Sequence, residues 1–153
     1  MPIGFNRALQ VRAADRLRRA IPRDTLTDLP AVDAMSEVQQ RELCEAGGGR
    51  LAAVAVGVAH EHLGDLARRL ETHVRRTDLL VAAGGEALVV LAPGLDAVGG
   101  QCLAERLRDL LRSAALDVRI GTAYRCAASG SGWTARDLAA EAAAHATPAS
   151  LAA

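Results

Sequence analysis

Two rhythms of apolar residues alternate along the chain. Phe5, Leu9, Ala13, Leu17, Ala20 and Ile21 recur every three or four positions between arginines, which predicts a helix over about residues 5–21. Pro22 ends it, because the proline ring cannot continue a helix. The stripe is narrow and flanked by charge, so it suits a coiled-coil seam or a helix docked on its own domain. A turn-rich run at 23–30 leads to a second helix over about 31–46, closed by the glycines at 47–49. Residues 51–58 break the helical rhythm with a continuous run of small and β-branched apolar side chains, predicting a strand buried on both faces. Helical spacing returns with Leu63, Leu66, Leu70 and Val74 over 62–74, and again with Leu103, Leu107, Leu110 and Leu111 over about 95–113. Between them, two short β-prone runs at 79–82 and 88–91 flank Gly84-Gly85, a hairpin signal. Residues 117–124 read as a strand, 129–132 as a flexible loop, and 134–146 as an Ala-rich helix. Helices interspersed with a hairpin-containing sheet predict an α+β fold, a central, mostly antiparallel five-stranded sheet wrapped by helices.

Composition narrows the function classes. With 153 residues, half of them apolar, the chain has enough core for one domain. Its net charge is zero, so nothing suggests general attraction to nucleic acid or membrane. All 18 basic residues are arginine, which excludes a lysine-dependent phosphate site and, with the abundant alanine, fits the codon bias of a GC-rich genome. Aromatic residues make up only 2%, which argues against single-strand binding by base stacking. Cys44, Cys102 and Cys126 are odd in number and lack metal spacing, as expected of a reduced, cytoplasmic chain. No signal-peptide pattern and no membrane-spanning apolar run is present.

Candidate chemistry concentrates just before the hairpin. Arg75 and Asp78 stand in an Arg-x-x-Asp pattern whose Asp is six residues ahead of Gly84. The pattern is cheap in an arginine-rich chain: Arg12/Asp15 and Arg106/Asp109 also spell it and read as solvated helical pairs. His60 and His62 beside Glu61 read as solvated loop histidines, and His73 and His145 lie on helical patterns. Cys126, with no base in sequence range, reads as a structural thiol. Walker loops and nucleophile elbows are absent, and no cofactor is implied.

In order and spacing, these segments resemble the GGDEF family of diguanylate cyclases over residues 22–148, with 1–21 as a lead-in helix and 149–153 as a tail. Asp24-Thr-Leu-Thr-Asp-Leu-Pro30 matches the family's D-x-L-T-G-L-P, although Ala31-Val32 replaces the following Asn-Arg. Arg75-Arg-Thr-Asp78, Gly84-Gly85 and Val89-Val-Leu-Ala-Pro93 fit the register of the signature hairpin. Ala104-Glu105-Arg106 matches the A-E-R of the next helix, and Arg119-Ile120-Gly121 approaches the S-I-G strand.

The family joins two GTP molecules into cyclic di-GMP, with Mg²⁺ held by carboxylates against the triphosphate. The resemblance implies that this chain departs from that machinery. The metal-binding Asp at the end of the first strand corresponds to Gly57, followed by Val58 and Ala59. The signature reads Gly84-Gly85-Glu86-Ala87-Leu88, keeping one carboxylate at Glu86 and losing the next at Ala87. The guanine-binding stretch is shortened to residues 60–65, leaving Asp65 as a guanine contact, and the phosphate-binding lysine falls at Pro148. A degenerate, catalytically inactive site follows.

The family's inhibitory site, an R-x-x-D assisted by an arginine on the next helix, binds intercalated cyclic di-GMP. The corresponding positions are Arg75, Asp78 and Arg106, with Arg76 near enough in sequence to offset phosphate charge. A guanidinium fork donates to guanine O6 and N7, while a carboxylate accepts from N1–H and the exocyclic amine. The expectation is a receptor for this bacterial second messenger, passing its signal through the lead-in helix or a homodimer. A nucleotide-independent module for dimerisation or for a regulatory protein partner is the alternative, and GTP held without turnover by Glu86 and Asp65 ranks last.

Overall fold

Eight residues, Arg50–Gly57, form the central strand β1, and every one after Arg50 is buried. Its small side chains let helices approach from both sides. The computed structural model describes residues 7–84, 87–114, 116–126 and 134–146. Ahead of β1 lie the helices α1 (Arg7–Ala20) and α2 (Glu37–Ala46). After it follow α3 (Leu63–Glu71), β2 (Leu79–Ala82), β3 (Ala87–Pro93), α4 (Ala97–Arg112), β4 (Arg119–Cys126) and α5 (Ala135–His145). The element order is the one the hydrophobic pattern predicts.

The sheet runs β2-β3-β1-β4, and all three pairings are antiparallel. The connection through α3 therefore passes over β3, and the one through α4 passes over β1, which interleaves two βαβ units. Odd-numbered residues of β1, with Val89 and Leu91 of β3, pack with residues of α1, α2 and α5. Even-numbered residues, with Leu88 and Val90, pack with α3 and α4. Burying a leucine or valine on either face is worth about 1.5–3 kcal/mol.

Three details differ from the expectation, and a fourth decides between two alternatives. The sheet has four strands among the described residues, not five. Ala31 forms a single parallel bridge to Ala82 outside β2, with the Ala82 N–H donating to the Pro30 carbonyl at 2.8 Å. That bridge cannot lengthen, because Pro30 has no N–H and Val32–Ala34 curl into a 3₁₀ turn. The second helix begins at Glu37 because Ser36 and Gln39 cap it reciprocally. β4 lies two residues later than expected, at the register that pairs all eight residues of β1, from Arg50↔Cys126 to Gly57↔Arg119. Of the two alternatives for the first helix, the structure has α1 docked on its own domain. Ala13, Ala14 and Leu17 are buried, Gln10 Nε2 donates to the Ala46 carbonyl at 3.0 Å, and Arg16 pairs with Glu42. Leu9, on the expected stripe, stays 58% exposed.

In the hairpin, Gly84 adopts a φ of +76°, the conformation for which glycine was expected there. Phe5, Gly85, Glu86, Pro148, the 129–132 loop and the 149–153 tail lie outside the described residues. No helix among those described is long and apolar enough to cross a membrane, and the three cysteines are thiols.

Candidate functional site

Past the end of α3, the chain makes the turn that feeds β2. The Asp78 N–H donates to the Arg75 carbonyl at 3.0 Å, and the Arg75 N–H donates back to Asp78 Oδ2 at 3.3 Å. This reciprocal closure holds the carboxylate against its own turn. Asp78 is only 2% exposed, whereas Arg75 and Arg76 are exposed. Arg106 approaches from α4, close enough for its charge to act on Asp78. Among the described residues, the guanidinium groups of Arg75, Arg76 and Arg106 make no hydrogen bond or ion pair. The two other Arg-x-x-Asp patterns do not form the expected pairs: Asp109 pairs with Arg112 at 3.4 Å, and Asp15 pairs with Arg18. Each acid has turned to the arginine three residues later, leaving Arg106 available.

Arg18 is the residue that sequence reasoning missed. From α1, its Nη1 donates to the Asp78 carbonyl at 2.9 Å and its Nη2 to the Arg76 carbonyl at 3.3 Å. Its only local signal is the spacing from Asp15, which says nothing of a turn some sixty residues away.

Two clefts flank the turn, and Arg75 is the residue they share. One, of about 280 Å³, lies between Arg7 and Gln10 of α1, the turn residues Arg75, Thr77 and Asp78, and the bend after β3. The other, of about 250 Å³, includes Arg18, Arg23, Glu71, Arg75 and Arg76. Both carry more guanidinium than carboxylate groups, which suits an anionic ligand.

Burial pushes the Asp78 carboxyl up from 3.8 to about 6, despite the bond from the Arg75 N–H and the charges of Arg75, Arg106 and Arg18, which act the other way. A carboxyl whose folded value is raised holds its proton more tightly in the folded state. The stability this contributes is complete below pH 4 and is lost as pH rises through about 6, on the order of 3 kcal/mol in all. Asp78→Asn is therefore expected to flatten the dependence of the denaturant midpoint on pH between 4 and 6. An unchanged slope would assign that dependence to another group.

The remaining positions lie at the other end of the sheet. Gly57 pairs with Ala87 on one side and Arg119 on the other. That row lies about 17 Å from the Asp78 turn, at ~3.4 Å per strand residue. Arg119 folds across the glycine, so that a Cβ on Gly57 would stand 3.3 Å from its Nε and 3.4 Å from its Nη2. Mg²⁺ requires oxygen ligands. This row presents a methyl group, a bare backbone and a guanidinium, and the cation does not fit it. No group of three His, Cys, Asp or Glu residues able to hold a metal occurs among the described residues. His60 and His62 lie in an exposed 3₁₀ turn. Asp65 is engaged on its own helix, accepting from Arg69 Nε at 3.1 Å with Arg68 at 3.6 Å.

No protein-family model and no curated protein matches this sequence. Solved structures do resemble the fold. A microbial GGDEF domain described in its interaction with cyclic di-GMP matches 83% of this chain and 88% of its own, with a TM-score of 0.58 and 18% identity. The diguanylate cyclase SiaD, solved with its activator SiaC from Pseudomonas aeruginosa, matches over 91% of this chain at a TM-score of 0.64 and 20% identity. The match takes in 61% of the SiaD chain. The fold is that of GGDEF domains.

Proposed function

We propose that this chain is a GGDEF-type domain without cyclase activity that binds cyclic di-GMP through the Arg75–Asp78 turn. The observation that carries this reading is a buried carboxylate under the charges of Arg75 and Arg106, neither of whose guanidinium groups makes a hydrogen bond or ion pair among the described residues. Ionised at neutral pH, Asp78 accepts from the N1–H and amine of guanine, which adenine cannot supply. Arg75 donates to the O6/N7 edge or stacks on the purine, and Arg106 and Arg76 offset the two phosphate charges. The GGDEF domain solved in its interaction with cyclic di-GMP supports the choice of ligand. The row formed by Ala87, Gly57 and Arg119 supports the loss of catalysis, since it puts a cation where the family holds Mg²⁺.

Isothermal titration of cyclic di-GMP into the purified chain, with GTP and Mg²⁺ as the control, tests the reading. Dissociation constants of micromolar or below, about −8 kcal/mol, are expected for cyclic di-GMP, with no turnover of GTP. Absence of heat and of any shift in melting temperature would overturn it in favour of a nucleotide-independent interaction module. A larger shift with GTP would move attention to Asp65 and Glu86.

A further inference from the structure

The first helix reaches the same turn. Arg7, Gln10, Ala14 and Arg18 are spaced three and four residues apart and so lie along one face of α1. Arg18 grips two carbonyls of the turn, Ala14 is buried, and Gln10 is bonded to the Ala46 carbonyl. Arg7, one helical turn beyond Gln10, is exposed and makes no hydrogen bond or ion pair among the described residues. It lines the 280 Å³ cleft with Arg75, Thr77 and Asp78. Two guanidinium groups on different elements, without a hydrogen bond or ion pair among the described residues, thus share a cleft with a single carboxylate. That volume is at the small end for ligand pockets, enough for one base and its neighbouring phosphate rather than a whole dinucleotide.

We propose that Arg7 is a ligand-binding residue, pairing with the phosphodiester of a cyclic dinucleotide whose guanine is held by Arg75 and Asp78, so that the bound ligand spans from the turn to α1. This rests on the receptor reading above and adds to it a contact from outside the Arg-x-x-Asp turn. The helix is already fixed by Gln10, Arg16 and Arg18, so only the Arg7 side chain has to be ordered on binding. A guanidinium on a phosphate makes short, charge-assisted bonds that weaken as salt screens them.

The test is titration of cyclic di-GMP into wild type, Arg7→Ala and Arg75→Ala at two salt concentrations, with amide exchange of residues 7–20 followed alongside. The expected result is about a tenfold loss of affinity for Arg7→Ala, a shallower salt dependence, an unchanged melting temperature, and ligand-induced slowing of exchange in α1 that the variant lacks. If Arg75→Ala loses binding while Arg7→Ala binds as wild type does, the α1 contact is overturned and the receptor reading stands. If the wild-type chain takes up no cyclic di-GMP, both fall.

Discussion

Arg75→Ala is expected to lower the affinity for cyclic di-GMP a hundredfold or more while leaving the melting temperature within roughly 2 °C of wild type. The two halves of that expectation have separate origins. Folding makes little use of the Arg75 guanidinium, which is exposed, makes no hydrogen bond or ion pair among the described residues, and shares with Arg106 and Arg18 the charge that favours ionised Asp78. The atoms that close the turn are its backbone N–H and carbonyl, and alanine keeps both. Binding uses the part that alanine lacks, since Arg75 is common to both clefts and faces whichever base or phosphate enters them. Each charge-assisted hydrogen bond is worth about 1.5–3 kcal/mol, so losing a fork of two removes a hundredfold or more. Calorimetric titration paired with a thermal melt checks both halves. Retained affinity would remove the turn from the site, and a large drop in melting temperature would mean that the guanidinium has a structural role.

Gly121→Ala is expected to act in the opposite way, on stability and not on the ligand. A Cβ at Gly121 would lie 2.3 Å from the Ala142 carbonyl oxygen, 2.5 Å from the Ala146 nitrogen and 2.6 Å from the His145 carbonyl carbon. All three are backbone atoms of the end of α5 and the residue after it, so no rotamer change relieves the clash. The helix would have to lift from β4, loosening Ala139 and Ala142, which are completely buried, and Leu138, which is nearly so. A cost of about 3 kcal/mol or more is expected, lowering the melting temperature by roughly 6–12 °C. Denaturant unfolding measures it directly, and a change under 1 kcal/mol would mean that α5 does not sit this close. The Ile-Gly resemblance at 120–121 thereby acquires a physical reason, the close approach of a helix to a strand.

Features set by local chemistry were legible in the sequence. The apolar run of β1, the glycine hairpin and the leucine spacing of α3 and α4 each follow from the period of the side chains, and the order of elements follows from them. The Arg75–Asp78 turn was legible because its hydrogen bonds join residues three apart. Arg18 and Arg7 were not, because α1 meets that turn only through tertiary packing. Arg119 was hidden for the same reason: its position over Gly57 depends on the register between β1 and β4. The start of α2 had a local signal in Ser36 and Gln39, a capping pair the hydrophobic pattern alone passes over. The fifth strand of the expected sheet had no apolar run of its own. Among the described residues the β2 edge carries only the single Ala31 bridge, which Pro30, lacking an N–H, does not extend.

The strand order β2-β3-β1-β4 also bears on how the chain assembles. Both partners of β1 come later in the sequence, β3 about thirty residues after its end and β4 about sixty. During synthesis, the central strand of the sheet therefore leaves the ribosome with both hydrogen-bonding edges bare, and it waits through the making of α3, β2, β3 and α4 before the second is covered. Sheets built on such distant pairings form slowly and expose unpaired strands to neighbours in the meantime. A run of alanine and valine with no charge between Leu51 and Val58 has nothing of its own to discourage that encounter. Completion of β4 and the closing of α5 over it mark the point at which the nascent chain stops being adhesive.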